Sequence, residues 1–69
     1  MTYSEAYMKA TTPQELLDMV RYDVAVCRMY DGDNPDRMKA IYNAIDSAAK
    51  ARGWNASAIK MRLKSEAII

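Results

Sequence analysis

The stretch from Thr12 to Asp31, TPQELLDMVRYDVAVCRMYD, constrains the fold more than any other part of the chain. It joins a fully specified helix start to the longest amphipathic run. Thr12 is a good N-cap, Pro13 suits the first helical position, where its missing N–H costs nothing, and Glu15 stands three residues after the cap, as in a capping box. At about 100° per residue, Leu16, Val20, Val24 and Cys27 share one stripe, flanked by Leu17 on one side and by Met19 and Tyr30 on the other. Such a stripe faces a core. Asp23 projects near the middle of this apolar face, where an unpaired carboxylate is costly. It is expected to be a structural hydrogen-bond acceptor, with Tyr42, Arg37 or a helix terminus as partner. Gly32 suits the left-handed position that ends a helix.

The flanking segments extend the same logic. Residues 2–10 offer Thr2 as a cap, Glu5 three residues on, and Tyr3 and Tyr7 one turn apart; Tyr7 and Met8 are expected to lie across the bundle. A helix this short must dock to exist. In DGDNPDR, Gly32 stops one helix, Asn34 caps the next, Pro35 is its first residue and Asp36 favours its N-terminal dipole. A calcium loop does not fit: counted from Asp31, the glycine comes second rather than sixth, and Tyr42 takes the place of the closing glutamate. The next helix carries Met38, Ile41, Tyr42, Ile45, Ala48 and Ala49 as its stripe. Ala48 and Ala49 permit close approach by another helix, and Asp46 and Lys50 have ion-pair spacing. Gly53 ends this helix, and Trp54 stands where a Schellman-type hydrophobic contact forms. Asn55 caps a last helix with Ala56, Ile59, Leu63 and Ala67 inward and with Met61 and Ile68 pointing away from that stripe. The spacing therefore predicts an all-α fold in a single domain, residues 1–69. It is a small bundle of three main helices, about 13–31, 35–52 and 56–67, with a short N-terminal helix or arm at about 3–10.

Composition narrows the chemistry. The 69 residues include no histidine and one cysteine. Ser-His-Asp and Cys-His catalysis, histidine-containing zinc sites and Cys-only metal sites are thereby excluded within one chain. No metal and no cofactor is expected. Cys27, on the apolar stripe, reads as an inert core thiol. Catalysis would have to rest on carboxylates, Tyr or Lys, and the one candidate is Asp23 as a buried carboxylate of raised pKa. The expectation is a protein that is not an enzyme. At this length only about 60% of the chain's surface is buried on folding, so a thin, Met-filled core is expected. No segment approaches the roughly 20 apolar residues of a membrane span. With no basic region followed by an apolar run at the N-terminus, a cytoplasmic, soluble protein without membrane partners is expected. The Asn55-Ala56-Ser57 glycosylation triplet has no meaning in that setting.

Charge is uneven. From Lys50 onward there are five basic residues and one acid, whereas the preceding 49 residues hold five basic residues and eight acids. Ala48 to Leu63, AAKARGWNASAIKMRL, resembles the helix-turn-helix of sigma-factor region 4 and related regulators. Ala49 falls at its small position, Gly53 at its turn, Trp54 at the apolar position after the turn, and Ile59 at the buried position of the recognition helix. The resemblance implies DNA contact through the basic last helix, with Asn55, Ser57, Ala58, Lys60 and Met61 near the groove and Lys50, Arg62 and Lys64 near phosphates. Ala10 to Met19, with Tyr22-Asp23, is similar to the first core helix of flagellin-specific export chaperones, helical bundles that wrap a flagellin tail.

The residues themselves favour a different function. Tyr22, Val26 and Met29 line a second face of the central helix that the core stripe does not use. Tyr and Met are enriched in interfaces and adaptable binding surfaces, and a chain this small gains stability by associating. The leading expectation is a non-catalytic helical protein-interaction module whose partner is another protein or a second copy. DNA binding is the alternative and a flagellin-chaperone-like binder the third.

Overall fold

The computed structural model describes residues 2–66. Among these residues the fold is all-α, with four helices: α1 (Tyr3–Tyr7), α2 (Pro13–Asp31), α3 (Pro35–Arg52) and α4 (Ala56–Ser65). Each start is capped as its sequence predicts. Thr2 accepts from the Glu5 N–H, Thr12 from Glu15, Asn34 from Asp36 and Arg37, and Asn55 from Ala58. The capping box of α2 is displaced by one residue: the Glu15 carboxylate reaches back to the backbone N–H and hydroxyl of Thr11, at 3.0 and 2.7 Å, rather than to Thr12.

The two glycines end their helices differently. Gly53 is left-handed (φ 74°, ψ 20°); its N–H reaches Lys50 and the Trp54 N–H reaches Ala49 at 2.8 Å, which together make a Schellman motif. Gly32 has φ 64° but ψ −150°, outside the left-handed helical well predicted for it and in a region that essentially only glycine occupies. That conformation turns the chain back within three residues, so that α3 returns along α2, clasped by an Arg37–Asp31 ion pair at 3.0 Å.

One apolar cluster joins all four helices: Tyr7 and Ala10; Leu16, Leu17, Val20 and Val24; Ile41, Ala44, Ile45, Ala48 and Ala49; Ile59 and Leu63. Cys27 is a buried free thiol at its α2 end. The core is aliphatic and Ala-rich rather than Met-filled. Met19 and Met38 only border it, and Met8, Met29 and Met61 are exposed. Small residues decide this. Around α3 at about 100° per residue, Ala44 and Ala48 fall on one side of the Ile41–Ile45 row, and Tyr42 and Ala49 on the other. α1 lies against the first side and α4 against the second, close enough to leave no room for long side chains.

Three tertiary ties complete the bundle. Arg21 of α2 donates to both Glu66 oxygens at 2.7 and 2.8 Å. Lys60 of α4 pairs with Asp46 at 2.7 Å, which corrects the predicted Asp46–Lys50 pair: a neighbouring helix offers Asp46 a closer cation than its own next turn does. The Arg52 guanidinium donates to the Met8 carbonyl and lies 5.8 Å from the centre of the half-buried Trp54 ring. α4 runs to Ser65, with Glu66 as C-cap, within two residues of its expected end. The expectations for Ala67 and Ile68 lie outside the described residues. Among the described residues, no helix is long and apolar enough to cross a membrane.

Candidate functional site: the uncovered face of the central helix

α2 has an apolar circumference wider than its core stripe. Leu16, Leu17, Val20, Val24 and Cys27 are buried. Beyond them Met19 and Val26 are half-buried, while Tyr22 and Met29 are 71% and 73% exposed. The smallest extent of the fold is 16 Å, about two helix layers, and among the described residues no helix lies over the Tyr22 and Met29 side chains. Tyr30, predicted on the core flank, is 78% exposed. It belongs to the last turn of α2, next to the reversal at Gly32, where no helix among the described residues covers it.

Asp23 lies at the edge of this face, half-buried rather than central to the core stripe. Its Oδ2 accepts a 2.7 Å hydrogen bond from the Tyr7 hydroxyl. Neither Tyr42 nor Arg37 is the partner: Tyr42 lies under Lys60 and Arg37 is held by Asp31. The Tyr7 ring is fully buried, and Asp23 does for its hydroxyl what water would do at the surface. Burial first, and then the hydrogen bond to Asp23, push the Tyr7 hydroxyl far above its ordinary range. The signal that could have found this pair is the Tyr3/Tyr7 spacing, which puts one ring of α1 inward whenever α1 docks.

Between α1 and α2 runs an open groove of about 410 Å³, lined by Ala6, Tyr7, Met19 and Tyr22 with Asp18 and Asp23 as its charged members. Asp18 is engaged by Arg21 at 2.6 Å and by Gln14 at 3.1 Å. Asp23 forms no ion pair among the described residues. A larger concavity of about 840 Å³ opens between the starts of α1 and α3, but Thr2 and Asn34 there are spent as caps and Arg37 on Asp31.

The residues assigned to nucleic-acid contact divide. Ser57, Lys60 and Lys64 line one groove of about 600 Å³ between α3 and α4, together with Lys39 and Met61. Lys39, seven residues before Asp46, was not singled out from the sequence, because only the packing of α4 on α3 brings it there. Lys50 and Arg62 do not line that groove, and Asn55 is occupied as a cap. Lys60 is neutralised by Asp46 and sits 5.8 Å from the Tyr42 ring centre, and Arg62 lies 3.5 Å from Glu66. Ala49 and Ile59 are buried and Gly53 is left-handed, at the positions where the helix-turn-helix resemblance puts them, but α3 enters that turn as one 18-residue helix. Among the described residues no group of three or more His, Cys, Asp or Glu could hold a metal ion.

No family model, curated protein or solved structure matches the chain. The site's own geometry therefore carries the functional reading.

Proposed function

We propose that the protein is a non-catalytic helical interaction module that binds another protein through the uncovered face of α2. The observation that carries this reading is the row Met19, Tyr22, Val26, Met29, spaced three, four and three residues apart along one side of α2, with Tyr22 and Met29 more than 70% exposed. That spacing is the a/d pattern of a helix-packing seam. It lies alongside the core stripe but contributes little to the core, so its apolar side chains gain most by burial against a partner.

Tyr22→Glu with Met29→Glu tests it. Both side chains point to solvent, so each change should shift stability by no more than about 0.5 kcal/mol, and circular dichroism should report an unaltered helical fold. Protein partners co-purifying with the native chain should be lost from the double variant. A folded double variant that keeps every partner overturns the reading.

A second reading, helix-turn-helix binding to DNA, is favoured by the convergence of Lys39, Lys60 and Lys64 on one groove. Against it stand the net charge of +1 and the internal pairing of Lys60 and Arg62. Its signature is binding to random duplex DNA that falls steeply with added salt; no detectable binding at low salt removes it.

A further inference from the structure

The groove at the N-terminal half of the α2 face combines three properties that together select a kind of partner. Its walls are apolar, from Ala6, Met19 and Tyr22. The charged side chains that line it, Asp18 and Asp23, are both carboxylates. They flank the apolar row on opposite edges, because at about 100° per residue Asp23 falls on the α1 side of Met19 and Asp18 on the far side of Tyr22.

The two acids differ in what they have left to offer. Asp18 shares Arg21 with Glu66, so one guanidinium serves two carboxylates. Asp23, which lines the groove, accepts from the neutral Tyr7 hydroxyl through Oδ2 and has no cation partner among the described residues. The arginines of α2 do not help: Arg21 is drawn towards Glu66 and Arg28 is held by Asp33 at 2.9 Å.

From this charge complementarity, and resting on the interaction reading above, we infer that the α2 face takes a basic amphipathic helix of a partner protein. Its apolar side chains pack between Met19, Tyr22, Val26 and Met29, while a Lys or Arg on its flank reaches Asp23. Met19 to Met29 spans about 15 Å, or three turns, which suits a helix laid along a groove and read at i, i+3/i+4 and i+7. A second copy of this chain fits less well, since an isologous contact would set Asp18 and Asp23 of one copy against an equally acidic face. The carboxylates act as selectors as well, because an acidic helix of the same apolar pattern meets like charge there.

Two synthetic peptides of about 18 residues, long enough to form a helix, make the test. They share one apolar pattern; one carries Lys and Arg on its flanks and the other Glu. With the full chain, fluorescence anisotropy should show the basic peptide bound at least about tenfold more tightly than the acidic one. Asp23→Asn keeps an acceptor for Tyr7 and should cut that preference several-fold, while Tyr22→Glu with Met29→Glu should abolish binding of both peptides. Equal affinity for the two peptides, with both lost in the double variant, overturns the charge selection and leaves the interaction face standing. Binding of the basic peptide that survives the double variant overturns the assigned location. No binding of either peptide overturns the partner class, and the co-purification experiment then decides the interaction reading by itself.

Discussion

The Tyr7 hydroxyl donates a 2.7 Å hydrogen bond to Oδ2 of Asp23, across sixteen residues of chain, and so fastens the five-residue α1 to the middle of α2. A helix of that length has no stability of its own. Its position rests on the burial of Tyr7 and Ala10 and on this one bond, with Arg52 holding the Met8 carbonyl at the other end.

Tyr7→Phe isolates the bond from the ring. It should cost about 1.5–3 kcal/mol, the range for a hydrogen bond to a charged group. Tyr7→Ala should cost about 3–5 kcal/mol, because the ring is fully buried and a cavity remains. Chemical denaturation measures both; equal losses would mean that ring packing contributes nothing.

The two helix-ending glycines should respond unequally to alanine. No atom stands within 4 Å of an added Cβ at either site, so the cost is purely one of backbone conformation. Gly53→Ala should lose about 1 kcal/mol, the ordinary left-handed penalty. Gly32→Ala, at φ 64° and ψ −150°, should lose about 1–3 kcal/mol and be the worse of the two. Thermal melts of the pair reversing that order would contradict the assigned geometry at Gly32.

Stability should decline at both ends of the pH scale. The Arg21 side chain beside Glu66, and the Thr11 N–H and hydroxyl on Glu15, hold both carboxyls below their ordinary value of 4.5. The unfolded chain therefore takes up these protons at higher pH than the folded one, and the stabilisation present above pH 4.5 is lost as the pH falls towards the folded values. Tyr7 works in the opposite direction. Its folded value is raised, so its contribution is complete below its ordinary value of 10.0 and is lost as the pH climbs beyond it. Denaturation midpoints followed against pH should show both declines, with Arg21→Gln reducing the acid one and Tyr7→Phe the alkaline one.

Ala48→Leu tests the close approach of α1 to α3. Ala48 is fully buried beside Ala44, and extra methylenes there must displace a helix rather than fill space. A loss of about 1–3 kcal/mol is expected, together with weakened protection of α1 in hydrogen exchange. A stabilised variant would mean that a void exists where close packing is described.

Much of this architecture was legible in the linear chain because its causes are local. A cap, a proline at the first helical position and a glycine at the stop act within a few residues, so Thr12, Asn34, Pro35, Asn55 and Gly53 announce their helices. The 3.6-residue period likewise assigns Leu16, Val20, Val24 and Ile45 to the core. The uncovered row of Tyr22, Val26 and Met29 was legible for the same reason, as surplus apolar positions on a helix already specified.

What only the tertiary structure decided are relationships between elements. Which partner answers Asp23, which cation reaches Asp46, and whether methionine or alanine fills the centre depend on the distances at which α1 and α4 settle against α2 and α3. Those distances come from packing summed over the whole cluster, and no spacing within one helix encodes them. Thus the sequence by itself determined three main helices and most of the faces they bury, and left the first segment as a helix or an arm. The fold decided that, among the described residues, one side of α2 stays uncovered and a carboxylate without a cation partner stands at its edge.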